Sequence, residues 1–140
     1  MTTNEFNFLQ EHSLHFLEMA FRTDHQESIE NPDGYGKNTG ECSDTVEIFL
    51  KVLDHHLCSV SYMTNGCMNT NACANTIVEL VEGKTIEEAW KLAPEDVITY
   101  LETLPPANHH CAELAVGALY RALTNYNEMQ KKPWKALYRS

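Results

Sequence analysis

Five cysteines offer the chain's most distinctive chemistry: Cys42, Cys58, Cys67, Cys73 and Cys111. A thiolate binds soft and borderline metals and attacks sulfur, whereas a neutral thiol does neither well. Cys42 lies in "GECSD", Cys67 in "TNGCMN" and Cys111 in "LPPANHHCAELA". Each stands at an expected boundary between elements, where a side chain projects from a well-held backbone. Cys67 and Cys111 fall at expected helix N-termini, where the positive end of the helix dipole favours thiolate. Asp44 follows Cys42 by two residues and His110 directly precedes Cys111. Each is a possible metal ligand, and each also suits an ordinary turn or helix start. Cys58 and Cys73 read instead as buried space-fillers, one in a strand and one on the inner face of a helix. His109 reads as a capping or solvated neighbour, and His12, His15, His25, His55 and His56 as surface residues. No C-x-x-C pair of the zinc-ribbon kind is present. Three dispersed cysteines with an aspartate and a histidine nonetheless favour a metal site over packing alone.

Those residues need a frame. Apolar positions Leu9, Phe16, Leu17 and Ala20, with Ser13, predict a helix over roughly Glu5–Phe21. Asn31–Gly36 reads as a turn-rich loop. In "TVEIFLKVL", Val46, Ile48, Leu50 and Val52 alternate with polar or outward residues, which predicts a strand. Asp54-His55-His56 turns the chain into a second strand, "LCSVSYM", making an antiparallel hairpin. From Asn69 the period becomes helical and Gly83 ends that helix. Thr85-Ile86-Glu87-Glu88 has capping-box spacing. Pro94 suits the first turn of a helix with Val97, Leu101 and Leu104 inward, and Pro105-Pro106 stops it. A last helix from near Asn108 buries Cys111, Leu114, Ala115, Ala118, Leu119 and Ala122. Residues 126–140 read as a basic C-terminal tail carrying Trp134 and Tyr138. Strands followed by helices predict an α+β fold.

The totals narrow the function. At 140 residues the chain fits one domain, 1–140, able to build a core without disulfide staples. An odd number of cysteines rules out a complete internal disulfide set. The formal net charge is -10, and residues 1–128 carry six basic and twenty acidic side chains, or -14. Such a surface repels phosphate, so nucleic acid is not an expected partner. The N-terminus lacks a basic start and an apolar stretch, and no run approaches a membrane span, so a cytoplasmic location is expected.

"CSD" at Cys42–Asp44, "GC" at Gly66–Cys67, "ELVEGKTIEEA" at Glu79–Ala89 and "LPPANHHC" at Leu104–Cys111 occur in that order. In these segments the chain resembles the IscU / NifU N-terminal family of iron–sulfur cluster assembly scaffolds, from the "ENP" loop at Glu30 to the last helix. The resemblance implies a SufE/NifU-like α+β fold, with a small antiparallel sheet of two to three strands on about five helices. It maps the family's cluster ligands onto Cys42, Asp44, Cys67, His110 and Cys111, with Asp44 or His110 as the weaker fourth ligand. It implies a labile [2Fe–2S] cluster, with Zn²⁺ possible in the same site.

The implied role is not enzymatic. A cysteine desulfurase would supply sulfur, iron would follow, and the cluster would pass to apo iron–sulfur proteins, from a monomer or a homodimer. The family's glycines after the first two cysteines are replaced by Ser43 and Met68. Asn108 stands where the family's "LPPVK" has lysine, which weakens the expectation of docking by a dedicated chaperone. Two alternatives compete: a structural or regulatory zinc protein with a Cys₃-Asp/His site, and a sulfurtransferase using Cys111 or Cys67 with His110 as proton acceptor. Three dispersed cysteines exceed what a single nucleophile needs.

Overall fold

The computed structural model describes residues 13–41 and 43–131. Three antiparallel strands, β1 (Gly34–Thr39), β2 (Thr45–Leu53) and β3 (His56–Thr64), form a meander in the order β1-β2-β3. Among the described residues five α-helices accompany them: α1 (Leu14–Phe21), α2 (Met68–Val81), α3 (Ile86–Trp90), α4 (Pro94–Leu101) and α5 (His109–Lys131). The α+β expectation holds.

Strand alternation places Val46, Ile48 and Leu50 on the inner face of β2, all fully buried, opposite Thr64, Tyr62 and Val60 of β3. Asp54 and His55 both have positive φ, 54° and 64°. That is the backbone of a two-residue turn whose twist matches the strands it joins. The first strand departs from the expected loop. "GYGKNT" lacks an apolar inner row because Gly34 and Gly36 occupy it, facing Leu50 and Ile48 of β2. A Cβ at Gly34 would sit 2.6 Å from the Ala122 carbonyl oxygen, so α5 lies directly on β1. The anticipated stripe of α5 is buried throughout, from Cys111 to Ala122.

Helix α2 packs on α1, α4, α5 and β3, in the middle of the helical layer. Its Asn75 donates 2.8 Å bonds to the carbonyls of Met19 and Arg22, and Asn71 donates to those of Ala20 and Arg22. These amides satisfy the orphan acceptors at the end of α1. Thr85 and Glu88 form the predicted capping box of α3.

Three further expectations change. The first helix does not run through Ser13, which is extended and caps α1 by accepting from the Phe16 amide at 3.2 Å. Residues 5–12 of that expected helix, His12 among them, lie outside the described residues. Helix α5 continues to Lys131, through the start of the expected tail, and residues 132–140 lie outside the description. Cys58 is exposed, because it falls between the Lys51–Ser59 and Val52–Leu57 pairs, where the ladder bulges. A bulged residue leaves the strict inner–outer alternation. Cys73, by contrast, is fully buried as expected. Among the described residues no helix is long and apolar enough to cross a membrane.

Candidate metal centre

Three segments converge at one end of the molecule. The first is the loop joining β1 to β2. It closes tightly, with the Gly40 amide donating to the Asp44 carbonyl at 2.9 Å and the Ser43 amide to the Gly40 carbonyl at 3.0 Å. Ser43 takes φ 67°, a left-handed conformation that favours glycine. The position after the first cysteine thus keeps the backbone a glycine would give, in spite of its side chain. Cys42 itself lies outside the described residues, and only its place in this loop, two residues before Asp44, is fixed by the sequence.

The second segment joins β3 to α2. The Asn65 side chain accepts from the Thr45 amide at 2.8 Å, and the Thr64 hydroxyl donates to the Thr45 carbonyl at 2.6 Å. These bonds tie the two loops together. Cys67 is exposed and occupies the N-cap of α2. Partial burial works against its ionisation, but the backbone N–H groups of Thr70 and Asn69 outweigh it, so the Cys67 thiol ionises below its ordinary value. The expectation from the helix start holds here.

The third segment is the start of α5. The Nδ1 of His110 lies 3.0 Å from the Ala107 carbonyl, which can only accept, so Nδ1 carries the hydrogen. That leaves Nε2 of the neutral ring as an acceptor, 3.7 Å from the Cys111 sulfur. His109 is half-buried and turns its Nε2 to the Leu104 carbonyl at 3.2 Å. Cys111 corrects the dipole argument. It is the third residue of α5 and 1% exposed, and burial pushes its thiol above the ordinary value despite help from the Thr70 and Asn108 side chains. Desolvation exceeds the effect of a helix end once the sulfur is inside.

Thr70 joins these segments, and the sequence reading passed over it. Its hydroxyl lies 3.2 Å from the Asp44 carboxylate, 3.5 Å from the Cys111 sulfur and 4.0 Å from the Cys67 sulfur. A side chain on Gly66 would come within 2.7 Å of the Thr70 Cβ, so the glycine before Cys67 leaves room for Thr70. Spacing held the one available signal: Thr70 follows Cys67 by three residues, which puts both on the same side of a helix start. Among the described residues no three Cys, His, Asp or Glu side chains already enclose a point tightly enough for a metal ion. The hydroxyl takes that central place. His110 lines an open cleft of about 460 Å³, together with Asn38, Gly40, Glu41, Glu113 and Leu114 among others.

The profile of the NifU-like N terminal domain matches residues 17–133. The chain belongs to that family.

Among relatives of this NifU-like N-terminal domain, "Iron-sulfur cluster assembly scaffold protein IscU 1" of Archaeoglobus fulgidus is 37% identical over 99 residues, covering 70% of this chain and 65% of that protein. The nitrogen fixation protein NifU of Trichormus azollae is 30% identical over 119 residues, covering 79% of this chain and 40% of that one. The chain therefore spans less than two thirds of either relative. Two crystal structures share its fold. A scaffold protein from Fervidobacterium islandicum, named as putative for cluster assembly in the SUF system, has a TM-score of 0.67 at 18% identity, covering 81% of this chain and 97% of that one. A NifU-like N-terminal protein from Brucella abortus also has a TM-score of 0.67 at 18% identity, covering 83% and 94%.

Proposed function

We propose that this chain is a scaffold on which an iron–sulfur cluster is built and from which it passes to apo-proteins, and that it is not an enzyme turning over a small molecule. The observation that carries this reading is the meeting of Asp44, Cys67 and Cys111, from three separate segments, around the Thr70 hydroxyl. Membership of the family, and relatives named as cluster assembly scaffolds, support it. Cys42 would supply a third thiolate from the loop that carries Asp44. Thiolates hold iron in such clusters. A carboxylate or imidazole in the fourth place, from Asp44 or His110, binds less firmly and leaves one iron open to exchange. A [2Fe–2S] cargo needs four ligands, which matches this set.

Sulfur would arrive as a persulfide on a cysteine desulfurase. A scaffold thiolate attacks the outer sulfur, a new S–S bond forms, and the desulfurase cysteine leaves as thiolate. Two electrons from a protein electron donor then cleave that bond and release sulfide to iron. Cys67 is the thiol best prepared for the attack, being exposed and favoured as thiolate. The cleft beside His110 offers a way in for partner residues. Free thiols of this kind suit a reducing compartment such as the cytosol. The cargo can be held in one chain or shared by two copies. No observation favours a structural zinc over the cluster.

Anaerobic reconstitution with iron, cysteine and a cysteine desulfurase tests the reading. The visible spectrum and bound iron and sulfide should report a cluster in the wild type and in Cys58→Ser. The cluster should be lost in Cys42→Ala, Cys67→Ala and Cys111→Ala. A wild type that binds neither iron nor sulfide would overturn it.

A further inference from the structure

We infer that Thr70 is a positioning residue for the metal site, its hydroxyl holding the Asp44 carboxylate and the Cys111 sulfur at one common point. The inference rests on the scaffold reading and extends it to a residue outside the ligand set.

Thr70 is fully buried, yet its hydroxyl is not spent on its own helix. Thr76, two turns further along α2, satisfies itself in the ordinary way by donating to the Ala72 carbonyl at 2.8 Å. Thr70 reaches instead across the chain, to Asp44 in the β1–β2 loop and to Cys111 in α5. A hydroxyl has one hydrogen and two lone pairs. That one hydrogen faces two acceptors, the Asp44 carboxylate at 3.2 Å and the Cys111 sulfur at 3.5 Å, so the hydroxyl draws both toward the same point. The Asn65 side chain and the Thr64 hydroxyl also tie these segments, through the Thr45 backbone, but neither bond touches the Asp44 carboxylate. The Asp44 side chain takes its direction from Thr70.

This placement matters because the donors come from elements distant in sequence. Partners that orient a ligand without binding the metal commonly alter affinity by about 10–100-fold. Gly66 belongs to the same device, since a side chain there would collide with Thr70 and turn its hydroxyl away.

Cobalt(II) titration of the metal-free, reduced protein tests the inference. The thiolate-to-cobalt charge-transfer band reports sulfur ligation, and the titration gives affinity without any assembly activity. Thr70→Val keeps the shape and removes the hydroxyl, and should weaken binding by about 10–100-fold. Thr70→Ser keeps the hydroxyl and should escape that roughly 10–100-fold loss, binding close to the wild type. In an Asp44→Ala background, Thr70→Val should cost far less, because the carboxylate it orients is gone. Circular dichroism checks each variant, and Thr70→Ala serves if valine disturbs the fold. Unchanged or tighter binding in the hydroxyl-free variants, failure of serine to restore affinity, or additive losses in the double variant would each overturn the inference and leave the scaffold reading standing. Misfolding of both hydroxyl-free variants would make Thr70 a packing residue and overturn it equally. A wild type that binds no cobalt and assembles no cluster would remove both.

Discussion

Gly36 on β1 stands directly against Ala122 on α5, with no room between them for a methyl group. A Cβ on Gly36 would overlap the Ala122 amide nitrogen and the Ala118 carbonyl oxygen, and backbone atoms of a packed helix cannot step aside as a flexible side chain can. The same helix carries Cys111 and His110 at its first turn, so the glycine contact sets the distance of the candidate site from the sheet.

Gly36→Ala should therefore destabilise the protein by about 1–3 kcal/mol, the range for overpacking a filled interior. Urea unfolding followed by circular dichroism measures it. Gly83→Ala is a useful contrast. No atom crowds that position, and its penalty comes from φ 85° alone. A Gly36→Ala protein as stable as the wild type would mean that α5 is free to lift from β1.

The two described site thiols should differ in reactivity. Cys67 is exposed and its thiolate is favoured, whereas Cys111 is buried and its thiol is held protonated. Iodoacetamide labelling read by peptide mass spectrometry should modify Cys67 faster. The pH midpoint of its labelling should lie below that of a free cysteine, and that of Cys111 above it. Unfolding in urea should bring the two together. Equal rates in the folded protein would place Cys111 at the surface.

Much of this was legible in the sequence, and the failures have physical causes. Strict alternation exposed β2, and the Thr85–Glu88 spacing exposed α3 with its cap. The apolar stripe from Cys111 to Ala122 exposed α5. β1 stayed hidden because its inner row is glycine: the feature that admits the helix also erases the hydrophobic signal of a strand. Cys58 escaped because a bulge shifts a residue off its expected face without marking the sequence. The Cys111 thiol was misjudged because the sequence reveals a helix start but not how deep the sulfur sits. Thr70 acquires meaning only when the β1–β2 loop and α5 are brought to it.

Stability should fall steeply at alkaline pH. Tyr62 is fully buried, donates to Asn71, and its phenol is raised by burial from 10.0 to about 12. Below 10 both folded and unfolded states keep the proton, and this tyrosine favours neither. Between 10 and 12 the unfolded chain releases the proton and the folded chain does not, so stability declines as pH rises, by roughly 2–3 kcal/mol. The Cys73 thiol, pushed well above its usual 9.0 by burial, adds a loss of the same sign that begins earlier. Urea unfolding at stepped pH should show this decline, and Tyr62→Phe should make it shallower between 10 and 12, with Tyr35, also raised to about 12, supplying part of what remains. An unaltered slope in that variant would assign the alkaline loss to other groups.

Removing metal should leave the fold intact. The interior is built from apolar side chains of the sheet, α1, α2, α4 and α5, with Tyr62, Phe16 and Met19 among its largest members. Of the described site residues only Cys111 and Thr70 reach that interior, and Asp44 and Cys67 sit in loops at its end. A bound metal then stabilises by mass action alone, about 2.7 kcal/mol at a hundredfold excess over its dissociation constant. Protein treated with a chelator and desalted should keep its helical circular dichroism and a single cooperative unfolding transition, at a modestly lower midpoint. A domain organised by structural zinc behaves otherwise, because there the binding energy is the folding energy. Loss of the cooperative transition on chelation, with recovery on adding zinc, would restore the structural-zinc reading and displace the scaffold.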